Sequence, residues 1–135
     1  MAALTGERNT QELHVGAVKY NYAREVASGK IYAGSLVAQN ANGKAVPASD
    51  TASLVVLGRA ETTAGGGETV EIRRGAFLFD NGEAKTEKTE QLTVADIGGT
   101  CYALDDHTVG KTGGTNKIKA GTVLDVTDDG VAVLI

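Results

Sequence analysis

Turn signals interrupt this 135-residue chain too often for long helices to form. Asn42-Gly43, Gly65-Gly66-Gly67, Gly98-Gly99, Gly113-Gly114 and Asp129-Gly130 cut it into short runs. The runs are rich in Val, Thr and Ile and alternate apolar with polar residues. A stable helix needs three or four uninterrupted turns, and each interior Gly costs it about 1 kcal/mol relative to Ala. Strands of five or six residues fit between such signals. The expected fold is therefore mainly β: a small antiparallel β-barrel or sandwich of roughly seven to nine strands.

Individual elements follow from the same logic. Leu36-Val37-Ala38 runs through Asn42-Gly43 into Lys44-Ala45-Val46-Pro47, which predicts a two-residue hairpin. Pro47 has no N–H for a ladder and belongs at a strand end or an edge. Leu54-Val55-Val56-Leu57 reads as a buried strand. In Glu68–Arg74, Val70 and Ile72 face in, while Glu71 and Arg73 face out. Gly75 marks a bulge, after which Ala76-Phe77-Leu78-Phe79 crosses the core. Residues 80–91 form an exposed, charged excursion. Thr93-Val94-Ala95-Asp96 is a capping box, but Gly98-Gly99 follows at once, so at most one short helix fits. Asp129-Gly130 sets the last hairpin. Residues 1–13 are polar and aperiodic, whereas 14–28 alternate. The chain thus divides into an extended N-terminal arm, 1–18, and a single all-β domain, 19–135.

The core available to this domain is thin. Leu, Ile, Val and Phe total 31 residues, or 23%, and Trp is absent. Chains below about 20% generally fail to fold alone. Association with other copies or partners would supply the missing burial. The net charge of −4 is uneven: residues 1–79 carry 8 basic and 7 acidic side chains, and residues 80–135 carry 5 and 10. Such a surface disfavours nucleic acid, whose binding rests on clustered Lys and Arg. No apolar run reaches the length of a membrane helix, and the first residues lack a secretory pattern. Cys101, the lone cysteine, reads as a small buried hydrophobe.

Catalytic patterns are weak. Gly110-Lys111-Thr112 ends like a phosphate loop, but Asp105 stands where that motif needs its first glycine. Asp105-Asp106-His107 offers ligand types side by side. Adjacent strand residues point to opposite faces, so they read as a solvated turn. Asp125, Asp128 and Asp129 read likewise. His14 and His107 find no nucleophile signature beside them. The reading is of a non-enzyme without cofactor or metal. Arg73-Arg74 is the one adjacent basic pair, and one of the two can reach a partner carboxylate.

The order of segments is informative as a whole. Ile31-Tyr32-Ala33-Gly34-Ser35-Leu36-Val37-Ala38 is followed by Val56-Leu57-Gly58-Arg59-Ala60-Glu61 and Val70–Phe77. Leu92–Gly98, Cys101–Val109 and Ala120–Val131 complete the series. Over residues 15–135 this resembles the capsid decoration, or cement, proteins of tailed bacteriophages. The resemblance implies a virion structural protein, made in the host bacterial cytoplasm and bound on the outer surface of the capsid. Its partners would be the major capsid protein and itself, as a homotrimer in preference to a dimer. There it would give capsid stabilisation without chemistry.

Within that expectation the arm would pair with the capsid by β-augmentation. Leu4, Leu13, His14, Val15 and Val18 are its candidate contacts. Tyr20, Tyr22, Arg73 and Arg74 are the candidates for contacts between subunits. A receptor-binding β module of a phage tail or fibre is the alternative. It lacks support from the few aromatics and the missing shaft repeats.

Overall fold

The computed structural model describes residues 1–13 and 20–135, with Tyr20 described through its backbone. The fold is mainly β, as the turn spacing predicts. The strands are β1 (Glu12–Leu13), β2 (Tyr20–Glu25), β3 (Lys30–Ile31), β4 (Leu36–Gln39), β5 (Ala45–Pro47), β6 (Val55–Ala60) and β7 (Ala64–Gly65). They continue as β8 (Thr69–Arg74), β9 (Ala76–Asn81), β10 (Thr100–Ala103), β11 (Thr108–Gly110), β12 (Lys119–Thr127) and β13 (Gly130–Leu134). The strand count exceeds the expected one largely because three strands, β1, β3 and β7, are two residues long, too short to show any alternation in sequence.

Five strands close into a small barrel in the order β9-β11-β10-β12-β13, with β13 pairing back onto β9. The barrel is antiparallel except at β11 and β9, which run parallel. A second sheet has the order β2-β8-β6-β4-β5. A bridge from Val26 to Ala45 curls its two edges towards each other. The chain passes from sheet to barrel at Gly75, between β8 and β9. That glycine is a crossing point between sheets, where the sequence suggested only a bulge.

Each unit has its own core. Phe77, Phe79, Leu92, Cys101, Val109, Val123, Val131 and Val133 fill the barrel. Phe77 and Phe79, two apart on β9, share a face and meet edge-on at 6.4 Å. Val26, Ile31, Val37, Val70 and Ile72 fill the second core. β4 serves both: Leu36 and Ala38 belong to the barrel core, and Val37 on the opposite face belongs to the other. A strand buried on both faces reads as continuously apolar, and Leu36-Val37-Ala38 does.

The local expectations fare unevenly. Val70 and Ile72 are fully buried and Glu71 is exposed. Pro47 ends β5, an edge strand. Val94–Asp96 forms one 3-10 turn, with the Thr93 N–H donating to Asp96 Oδ2 at 2.8 Å. The Asn-Gly hairpin has three loop residues, not two. Asn40 and Lys44 close it, Gly43 takes φ +75°, and Asn40 Oδ1 accepts from the N–H groups of Asn42 and Lys44. In the last hairpin Asp128 and Asp129 make the turn and Gly130 opens β13. A Cβ on Gly130 would stand 2.3 Å from the Phe79 carbonyl oxygen, so packing against β9 requires the glycine. Val55, expected inside a buried strand, is 60% exposed.

Candidate functional site

Residues 1–13 do not project from the domain as a free arm. They lie across the β9 end of the barrel, held mainly by polar contacts. β1 pairs with β9, Glu12 opposite Phe77 and Leu13 opposite Ala76. The Leu78 N–H donates to the Gln11 carbonyl at 2.9 Å and the Arg8 N–H to the Ala33 carbonyl at 2.9 Å. Thr10 is buried, and its hydroxyl donates to the Gly34 carbonyl. Gly34 takes φ +90°, and a Cβ there would fall 1.6 Å from the Arg8 carbonyl oxygen. Polar residues without a period gave no hint of this docking, because its bonds are backbone bonds and ion pairs. Leu4 and Leu13 are half-buried, and the Leu4 N–H donates to Asp106 Oδ1 at 3.0 Å. His14, Val15 and Val18 lie outside the described residues.

The basic pair splits as strand geometry demands. Arg73 turns towards residues 1–13, where its guanidinium meets Glu12 at 2.7 Å and Glu61 at 3.3 Å. Arg59 joins the group, 2.5 Å from Glu61, donating to the Thr10 carbonyl at 2.8 Å and lying 4.4 Å above the Phe77 ring. Arg73 is therefore engaged within its own chain. Arg74 faces the other way and is exposed. Tyr20 pairs through its backbone with Arg74, and Tyr22 with Ile72. The Tyr22 ring packs beside the second core and carries the Arg24 guanidinium at 5.1 Å.

Arg74 and Tyr22 do come together, at a groove between the sheet and the barrel. It measures about 930 Å³, and Val55, Leu57, Lys119 and Leu134 are among its other lining residues. β6 pairs with β8 only through Arg59 and Ala60. Its first half, Val55 to Leu57, therefore diverges from β8 and leaves apolar side chains facing the opening. Leu134, at the end of β13, is 39% exposed. Among the described residues, Arg74 and Lys119 make no ion pair. The groove is thus an apolar floor with free cations on its rim.

A second cluster was underrated in the sequence. Asp105-Asp106-His107 is a turn, as expected, but its carboxylates are buried and not solvated: Asp105 is 5% exposed and Asp106 2%. The turn packs under residues 1–4, which no local pattern could indicate. His107 Nδ1 lies 2.8 Å from Asp80 Oδ2 and Nε2 lies 3.0 Å from the Ala2 carbonyl oxygen. Asp80 also receives Arg8 at 2.8 Å. Burial pulls the His107 pKa down, but the Asp80 and Ala2 hydrogen bonds and the nearby carboxylates outweigh it and hold the pKa above its ordinary value. Burial, with Asp105 beside it, raises the Asp106 pKa despite the Leu4 N–H.

Two further titratable groups, Cys101 and Glu90, are shifted by their surroundings. The Cys101 thiol is buried in the barrel core and pushed up to about 12 by that burial. Glu90 lies in the excursion after β9, yet its carboxylate is an anchor. It accepts from the Thr112 hydroxyl and from the N–H groups of Thr112, Gly113 and Gly114. Burial works to raise its pKa, and those donors together bring it below the ordinary value. Compared with protein-family models, with curated proteins and with solved structures, the chain matches none.

Proposed function

We propose that this chain is a virion structural protein of the capsid decoration type, which binds the outside of a major capsid protein shell and stabilises it. One observation carries the reading in the structure. The groove beside Val55 and Leu134 leaves an apolar surface open on an otherwise small and well-paired β domain. Exposed apolar patches with a polar rim mark surfaces that other proteins cover. The basic rim at Arg74 and Lys119 would then meet carboxylates of the capsid subunit. The resemblance in segment order supports the same reading. With the N-terminal residues folded back on the barrel, the groove takes over from the arm as the principal docking surface. A homotrimer that leaves this face to the capsid is the assembly proposed.

The test is binding to expanded capsid shells of the encoding phage, purified without this protein. Saturable binding that raises the rupture temperature of the shells is expected, and Val55→Glu should weaken it at least tenfold. Shells that neither retain the protein nor gain stability would overturn the reading. Binding to host cells instead would favour a tail or fibre module. Native mass spectrometry reads the oligomeric state directly.

A further inference from the structure

The buried turn at residues 105–107 has the makings of a cation site. One carboxylate oxygen each from Asp105 and Asp106, and one ring nitrogen of His107, all lie within 4.8 Å of one another. His107 Nε2 stands 3.6 Å from Asp105 Oδ1 and 3.0 Å from the Ala2 carbonyl oxygen. Donor atoms bound to one Mn²⁺ or Zn²⁺ at about 2.0–2.2 Å lie roughly 3–3.5 Å apart. The His107 pairs with Asp105 and Ala2 already stand at that spacing to within a few tenths of an ångström, and the rest of the set, within 4.8 Å, closes onto an ion by a shift of about an ångström. The histidine ring is already oriented: Asp80 takes Nδ1 at 2.8 Å and leaves Nε2 facing the turn. A carboxylate on the far nitrogen is the usual support of a metal-binding imidazole.

A second observation points the same way. Asp105 is 5% exposed, its Oδ1 accepts from the His107 N–H at 3.0 Å, and its Oδ2 has no hydrogen-bond partner among the described residues. Buried polar atoms are almost always satisfied. A carboxylate whose other oxygen already faces His107 is short of a positive partner. Asp80 and Asp105 each place a carboxylate oxygen near a His107 ring nitrogen, at 2.8 Å and 3.6 Å, and Asp106 adds a third carboxylate to the turn.

We propose that Asp105, Asp106, His107 and the Ala2 carbonyl bind one divalent cation of the Mn²⁺ or Zn²⁺ class. A mixed nitrogen and oxygen set suits these ions, whereas Ca²⁺ takes six to eight oxygens. The bound ion ties Ala2 to the turn and so fastens residues 1–4 to the barrel. The inference is independent of the capsid reading.

Chain stripped with EDTA and dialysed is titrated with MnCl₂, ZnCl₂ and, as a control, CaCl₂. One equivalent of Mn²⁺ or Zn²⁺ per chain should bind, at least tenfold more tightly than Ca²⁺. Asp105→Asn should weaken that binding at least tenfold. Because this variant disturbs a buried turn, wild-type NMR gives a separate readout. Substoichiometric Mn²⁺ should broaden the amide signals of Leu4, Leu36 and His107 first; Leu36 reports because its N–H donates to the Asp106 carbonyl at 2.7 Å. Broadening centred on Asp128 and Asp129, absent one-to-one binding, or unaltered binding by Asp105→Asn would overturn the proposal.

Discussion

At the scale of single residues, the informative positions are charged groups with backbone partners. Glu90 gathers four donors from Thr112, Gly113 and Gly114. Glu90→Gln removes the charge and turns one oxygen into a donor that faces donors. Hydrogen bonds to a charged group contribute about 1.5–3 kcal/mol, so a loss of about 2 kcal/mol is expected in urea unfolding. Its acid dependence has a defined sign. The Glu90 pKa is lower in the folded chain than its ordinary 4.5, so the unfolded chain binds the proton more readily. The contribution is present above that pH and is lost as pH falls through the folded value. Asp50, held by the Thr115 N–H, and Asp96, held by the Thr93 N–H, shift in the same direction. Acid unfolding should therefore begin below about pH 4.5, and Glu90→Gln should flatten that limb. An unchanged limb would remove Glu90 from the account.

At the scale of elements, the instructive case is the segment 1–13. Its type was legible: extended, polar and without a helix. Its place was not. Glu12, Glu61, Arg59 and Arg73 are scattered in sequence, and only the topology brings β1, β6 and β8 to one spot. The same limit applies to Asp105 and Asp106, which look solvated until residues 1–4 cover them. Strands such as β8 were readable because their own alternation records which face is buried. The contact of the segment with β8 can be measured by a charge-exchange cycle. Glu12→Arg places a third cation beside Arg59 and Arg73, and Arg73→Glu sets a carboxylate against Glu12 and Glu61. Each alone should destabilise, while the double exchange recovers part of the loss, with a coupling of about 1–2 kcal/mol. Hydrogen exchange at the Leu78 amide, bonded to the Gln11 carbonyl, reports the docking itself. Faster exchange in the single variants and recovery in the double are expected. Strictly additive effects would mean that the ion pairs do not hold the segment.

At the scale of the molecule, the low share of large apolar residues acquires a structural meaning. The chain builds two small cores instead of one and lets β4 serve both, so that Leu36, Val37 and Ala38 are each fully buried. That economy explains how a chain with two phenylalanines folds, and it locates the apolar surface left over. Val55 and Leu134 remain open where the two units diverge. If this surface were merely unfinished core, covering it with charge would change stability; if it awaits a partner, charge would change binding alone. Val55→Glu separates the two. Val55 is 60% exposed, and substitutions at such positions usually alter stability by no more than about 0.5 kcal/mol. The urea midpoint should therefore hold while binding to shells falls at least tenfold. Arg74→Glu should act differently, since a rim charge governs encounter and salt dependence more than residence time. Its association rate should drop and lose its sensitivity to ionic strength. A stability loss of 2 kcal/mol or more in Val55→Glu, with binding intact, would place Val55 in the fold and not at an interface.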